Sequence, residues 1–166
     1  VMKNITAICP GSFDPVTLGH IDIIKRACST FESVIVVVMY NSAKTASFTA
    51  EERVAMIKKS TADIPNVSVE AYDGLLADYA REKNAKAIVK GLRAVSDFEY
   101  EFQMALTNKK LNPDAETVFF TTRAENMYLS SSVVREVARM GGDISDFVPE
   151  CLKQEIIERL SKKGVC

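Results

Sequence analysis

Ile5-Thr6-Ala7-Ile8-Cys9-Pro10-Gly11-Ser12-Phe13-Asp14-Pro15-Val16-Thr17-Leu18-Gly19-His20 is the stretch that decides the fold. Its first residues are apolar and β-rich. The run after it, Ile21-Asp22-Ile23-Ile24-Lys25-Arg26-Ala27, is amphipathic with helical spacing. Gly and Pro residues between the two make a tight loop. The stretch therefore predicts a strand, a loop and the start of a helix. A helix start leaves backbone N–H groups without intrahelical acceptors and carries about half a positive charge, so a loop of this kind can hold phosphate. It also delivers His20, the only histidine in the chain. A histidine at a helix start is, taken alone, more often a capping or surface residue. Its position in the first strand–loop–helix turn argues otherwise, because open α/β sheets place ligands outside the carboxyl ends of their strands.

Outward from this stretch the chain keeps alternating. Strands are expected at 4–9, 34–40, 67–71, 87–89 and 117–121, and helices at 20–31, 50–61, 75–83, 97–111, 131–140 and 149–162. Thr49-Ala50-Glu51-Glu52 is a capping box. Gly141-Gly142 is a helix stop, and Asn112-Pro113-Asp114 is a turn. Val34-Ile35-Val36-Val37-Val38 is apolar on both faces, as a parallel strand covered by helices on each side must be. The expected fold is α/β, a Rossmann-like, doubly wound, parallel five-stranded sheet in a three-layer α/β/α arrangement. No repeat, low-complexity tract or linker divides the chain, so residues 1–166 read as a single domain. The last two helices fit either the sheet edge or a position over the ligand.

Composition narrows the function classes. The 166 residues are 47% hydrophobic and 26% charged, as in ordinary globular proteins. A formal net charge of −1 gives no basic field for nucleic acid or an anionic membrane. The longest apolar run, 34–40, is too short to span a bilayer, and the first residues carry no signal pattern. Cys9, Cys28, Cys151 and Cys166 form no C-x-x-C pair, and free thiols in a reducing cytoplasm explain them best.

Three further loops put cations at expected strand ends. Asn41-Ser42-Ala43-Lys44 follows the second strand and Lys90-Gly91-Leu92-Arg93 the fourth. Leu129-Ser130-Ser131-Ser132-Val133-Val134-Arg135 joins serine hydroxyls at a helix start to an arginine one turn on. Each alone reads as a solvated lysine or a routine helix cap. Together with the histidine loop they suit a bound polyphosphate. There is no Ser-His-Asp set, Cys-His pair or metal-ligand cluster, and neither G-x-x-x-x-G-K-[ST] nor G-x-G-x-x-G occurs. A transfer to an acceptor that is itself a phosphate needs none of these. The acceptor is already largely ionised, so alignment and charge stabilisation at the α-phosphate suffice.

Thr17-Leu18-Gly19-His20 fits the T/H-x-G-H signature of the nucleotidyltransferase superfamily. Taken with Pro10-Gly11-Ser12-Phe13-Asp14-Pro15 and Phe48-Thr49-Ala50-Glu51-Glu52-Arg53, the chain closely resembles the bacterial phosphopantetheine adenylyltransferase family over essentially its whole length. Two further runs carry the resemblance, Gly91-Leu92-Arg93-Ala94-Val95-Ser96-Asp97-Phe98-Glu99-Tyr100-Glu101 and Ser130-Ser131-Ser132-Val133-Val134-Arg135-Glu136-Val137. The 91–101 run is the discriminating one, since other nucleotidyltransferases share the histidine loop.

The resemblance implies transfer of the adenylyl group of ATP to 4′-phosphopantetheine, giving dephospho-coenzyme A and pyrophosphate in coenzyme A synthesis. It implies a catalytic set of His20, Lys44 and Arg93, with His20 stabilising the transition state. Ser12, Phe13, His20, Gly91, Leu92, Arg93, Glu101 and the span Asn126, Met127, Tyr128, Leu129, Ser130, Ser131 and Ser132 would hold ATP. Ser12, Lys44, Leu76 and Lys90 would hold the acceptor. Mg²⁺ would arrive with the nucleotide, without protein ligands, and the assembly would be a homohexamer. Three positions depart from the family pattern. Lys90 replaces a usual arginine, Leu129 a usual isoleucine, and Asn126-Met127-Tyr128 a variable segment that often carries an aromatic. The alternatives are a mononucleotide adenylyltransferase or cytidylyltransferase, which would use the same histidine loop, and a non-catalytic nucleotide-binding module, which would not need His20.

Overall fold

Parallel pairing on both sides makes the first strand the middle of the sheet. The computed structural model describes residues 2–40 and 45–161, and in it β1 (Met2–Gly11) is flanked by β2 (Phe31–Met39) and β4 (Ala87–Leu92). β3 (Val67–Tyr72) lies beyond β2 and β5 (Glu116–Thr121) beyond β4, giving the order β3-β2-β1-β4-β5. All pairs are parallel, with Ala7 of β1 opposite both Val34 and Ala87. The connections are α1 (Leu18–Thr30), α2 (Ala50–Ser60), α3 (Leu76–Glu82) and α4 (Val95–Leu111). After β5 come a 3₁₀ turn (Ala124–Asn126), α5 (Ser131–Arg139) and α6 (Glu150–Leu160). The doubly wound three-layer expectation therefore holds. The expected strands and helices are all present, with ends displaced by a few residues.

Alternation along β2 splits the core. Val34, Val36 and Val38 face one layer, where they join Ile24 of α1, Ile57 of α2, Val134 of α5 and Ile156 of α6. Ile35 and Val37 face the other, a smaller cluster with Ile8, Ile88 and Tyr79 of α3. The period-2 pattern explains why this strand reads as apolar on both faces. α6 packs on the first layer beside α2, where Arg159 pairs with Glu52, donates to the Ser47 carbonyl at 3.3 Å and lies 5.3 Å from the Phe48 ring. The start of α5 faces the ligand side instead.

α4 is the exception to the layered core. None of its seventeen residues is buried, and Val95, Tyr100 and Leu106 are well exposed. It is held to the sheet by Phe98 against Phe119 (6.2 Å between ring centroids) and by ion pairs such as Lys109–Glu116 at 2.8 Å. No helix among the described residues is long and apolar enough to cross a membrane. Cys9 and Cys28 are buried free thiols, pushed up to about 12 and about 11 by desolvation, and Cys151 is an exposed one. Cys166 lies outside the described residues.

Candidate active site at the switch between β1 and β4

The strand order reverses at β1 and β4, where α1 crosses to one layer and α4 to the other. This is the topological switch point at which open α/β sheets bind ligands. A cavity of about 410 Å³ opens there. Its floor is the β1–α1 loop, and that loop is held rigidly. Phe13 takes a left-handed φ of 50° with its ring buried. A Cβ at position 11 would come within 2.9 Å of that ring, which explains Gly11. The buried Asp14 carboxylate accepts backbone N–H bonds from Ser47 (2.9 Å) and Phe48 (3.0 Å). The buried Arg53 donates to the Ser12 carbonyl at 2.8 Å, and Arg135 donates to the Asp14 carbonyl. Charge-assisted bonds in a desolvated setting are the strong ones, so the loop is set before any ligand arrives.

His20 sits at the third position of α1 and closes a capping box. Its backbone N–H donates to Thr17 Oγ1 at 3.3 Å, and the Thr17 backbone N–H donates to His20 Nδ1 at 3.0 Å. A backbone amide can only donate, so Nδ1 must accept. The neutral ring then carries its proton on Nε2, a donor in the cavity that His20 lines. Burial lowers its pKa from 6.5 to about 4, and the charges of Arg93 and then Lys90 push the same way. Phe13 meets the imidazole edge-on, with centroids 5.0 Å apart, and fixes its plane. His20 is therefore a neutral, oriented hydrogen-bond donor near neutral pH.

The opposite wall comes from β4 and α4. Lys90 and Gly91 stand at the end of β4, and a Cβ at Gly91 would meet Ile23 of α1 at 3.0 Å. Glycine thus lets the helix that carries His20 approach the strand. Lys90 pairs with Glu101 at 3.2 Å. Arg93 pairs with Asp97 at 3.3 Å and donates to the Leu129 carbonyl at 2.7 Å, linking β4 to the entry of α5. Ser130 caps α5 by accepting from the Val133 N–H at 3.1 Å, while Ser131 Oγ donates to the Pro15 carbonyl at 2.7 Å. A second cavity, about 450 Å³, shares Ser12 and Ser131 with the first and is lined by Arg53, Arg135 and Ser132. A third, about 110 Å³, runs under α4 past Leu76, Met104 and Asn108, and shares Lys90 and Glu101 with the first.

The structure thus brings Ser12, Phe13, His20, Lys90, Gly91, Arg93, Glu101, Asn126, Leu129, Ser130 and Ser131 around one cavity. Ser132 lines the second cavity and Leu76 the third. Leu92, Met127 and Tyr128 are not among the residues lining any of the three. Met127 and Tyr128 are more than half exposed, and Tyr128 packs edge-on against Phe147. Lys44 falls outside the described residues.

Sequence reasoning missed the holders of the loop, Asp14 and Arg53. A signal existed for the second. Arg53 shares the buried face of α2 with Ala50, Met56 and Ile57, and a charge on such a face needs partners. As to metals, no group of three or more His, Cys, Asp or Glu stands together among the described residues. The carboxylates at the cavity, Asp97 and Glu101, are both engaged by cations.

Comparison with known proteins identifies the family. Residues 8–137 match the model of the family described as cytidylyltransferase-like. The chain is 56% identical over 156 residues to a phosphopantetheine adenylyltransferase of Caldanaerobacter subterraneus subsp. tengcongensis, covering 94% of this chain and 98% of that one. It is 57% identical over 157 residues to that of Alkaliphilus metalliredigens, with 95% and 98% covered. It is 54% identical over 158 residues to that of Clostridium tetani, with 95% and 96% covered. A solved chain from Vibrio parahaemolyticus, described as a candidate nicotinate-nucleotide adenylyltransferase, superimposes with a TM-score of 0.65 at 17% identity. The overlap covers 92% of this chain and 97% of that one, a likeness of fold.

Proposed function

The chain belongs to the cytidylyltransferase-like family and, within it, to the phosphopantetheine adenylyltransferases, which are nucleotidyltransferases, and from that we propose that its switch-point cavity transfers the adenylyl group of ATP to 4′-phosphopantetheine. The observation that carries the reading is the hydrogen bond from the Thr17 amide to His20 Nδ1, which leaves Nε2 as the donor in a cavity flanked by Lys90 and Arg93.

In this reading the acceptor phosphate attacks the α-phosphorus of ATP. An O–P bond forms on the acceptor side, the bond to the β-phosphate oxygen breaks, and pyrophosphate leaves with that electron pair. A phosphate monoester is mostly dianionic near neutral pH, with a second pKa of about 6, so no general base is required. His20 donates to the α-phosphate as charge grows there. Its low pKa keeps it a neutral donor, so activity does not depend on protonating it. ATP would lie along Ser12, Phe13, Gly91, Arg93, Glu101, Asn126 and the Leu129–Ser131 stretch that line the first cavity. Its β- and γ-phosphates lead toward the second cavity, where Arg53 and Arg135 supply positive charge. Lys44, Leu76 and Lys90 receive the acceptor. Mg²⁺, arriving with the triphosphate and held by its oxygens and water rather than by protein side chains, would supply charge neutralisation on the leaving pyrophosphate. The protein works in the cytoplasm as a homo-oligomer, a hexamer by family resemblance, and the exposed apolar residues of α4 favour association.

The deciding measurement is pyrophosphate release with ATP and Mg²⁺ in the presence of phosphopantetheine, nicotinate mononucleotide or glycerol phosphate. Turnover with phosphopantetheine alone is the expected outcome. Preference for either other acceptor overturns the substrate assignment. Full activity in excess chelator removes the metal, and a monomer by light scattering at micromolar concentration removes the oligomer.

A further inference from the structure

The Lys90–Glu101 ion pair stands where two cavities meet. Both side chains line the 410 Å³ cavity beside His20, and both line the 110 Å³ cavity under α4. Their charged atoms are 3.2 Å apart, and the side chains are 27% and 20% exposed. The two partners are held very differently. Lys90 belongs to β4, in register with Phe119 of β5, inside the sheet. Glu101 belongs to α4, which buries none of its residues. The narrow cavity is apolar at Leu76, Ile88 and Met104 and polar at Asn108 and Thr117, a lining that suits a thin chain with an occasional amide.

We infer that this pair is a counterion lock between the nucleotide cavity and the acceptor cavity, and that the acceptor's phosphate opens it by replacing the Glu101 carboxylate on Lys90. The inference rests on the adenylyl-transfer reading and makes Glu101 a positioning residue for Lys90, in addition to any contact with ATP. A phosphate monoester brings up to about two negative charges. It outcompetes a single carboxylate for the ammonium and repels that carboxylate as it arrives. The residue type matters. Lysine is a compact point charge on a flexible stem, whereas an arginine fork can hold two anions side by side. With lysine here, the exchange is one anion for another. The lock also selects. An acceptor with the same tail and no phosphate has nothing to offer Lys90 in exchange for Glu101.

The test is calorimetric titration of 4′-phosphopantetheine, and of pantetheine without the phosphate, into the wild-type protein and Glu101→Gln in the absence of ATP. Glu101→Gln should bind phosphopantetheine about two- to fivefold more tightly, the factor that a partly exposed ion pair is worth. Pantetheine should bind the two proteins equally. Unchanged or weaker phosphopantetheine binding overturns the lock. So does an equal gain for pantetheine, which would mean that Glu101 merely shapes the channel. Glu101→Ala serves in the same titrations if Glu101→Gln does not give a wild-type melting curve. Wild-type turnover separates the two ideas. Without pyrophosphate release from phosphopantetheine the functional reading falls, and with it but without the affinity gain only the lock falls.

Discussion

Two helices of this molecule begin with the same device and use it for different ends. α1 and α2 both open with a capping box, Thr17 with His20 and Thr49 with Glu52. The geometries nearly coincide. The threonine hydroxyl accepts at 3.3 Å in α1 and 3.2 Å in α2, and the return bond from the threonine amide is 3.0 Å and 2.8 Å. In α2 the returning group is a carboxylate, which accepts from the amide and from Arg159 of α6 together. That box is a clasp. In α1 the returning group is an imidazole, which has one acceptor once it is neutral and therefore one donor left over. The backbone amide that only caps a helix start in α2 fixes a tautomer in α1. In the proposed function a capping position would thus double as a catalytic one at almost no structural expense.

The comparison breaks most visibly at His20. His20→Ala should lower kcat by about a hundredfold or more, the usual cost of one donor to a growing oxyanion, and change ATP affinity by only a small factor. A near-wild-type kcat would reduce the first box to the status of the second. Next in size, Thr17→Ala should cost about 1 kcal/mol of stability as a lost cap and about tenfold in kcat through a less constrained ring, read by thermal melts and steady-state kinetics together.

The two boxes should also fail in different pH windows. His20 has a folded pKa of about 4 against 6.5 unfolded, so the unfolded chain takes up its proton first. The stability this protects is present above about 6.5 and is lost as pH falls toward 4. Glu52 is held below its ordinary 4.5, first by the Thr49 amide and then by Arg159, so its contribution is lost only below that value. Chemical denaturation across pH 7 to 4 should show a slope that His20→Ala flattens and Glu52→Gln leaves in place. The smallest effect belongs to Thr49→Ala, about 1 kcal/mol of stability with kcat unmoved. A fall in kcat there would mean that α2 also reaches the chemistry.

The same pair marks what could be read in advance. Thr49-Ala50-Glu51-Glu52 was legible as a helix start because glutamate at the third position is the known partner. Thr17-Leu18-Gly19-His20 does the same job with histidine, which the glutamate pattern does not flag, and the helix begins at Leu18 rather than at the expected residue 20. The alternation of elements, the switch point and the clustering of His20, Lys90 and Arg93 follow from local patterns and came through. α4 did not come through as unpartnered. Its apolar residues run around the helix, and nothing local says that no layer covers them. The Lys90–Glu101 pair and the hold of Asp14 on Ser47 and Phe48 depend on how distant segments are laid together, which no spacing along the chain encodes.

The fixed tautomer has a spectroscopic consequence. The chain has one histidine, so labelling that amino acid with ¹⁵N gives two ring signals that need no assignment. The nitrogen that accepts from Thr17 should resonate as a bare, hydrogen-bonded acceptor, and the other as a protonated one. In the proposed function a nucleotide arriving at the cavity should move the second signal first. A loosened helix start moves the first. The molecule thus carries a two-channel reporter in which occupancy and capping are read separately, on the same ring, in unmodified protein.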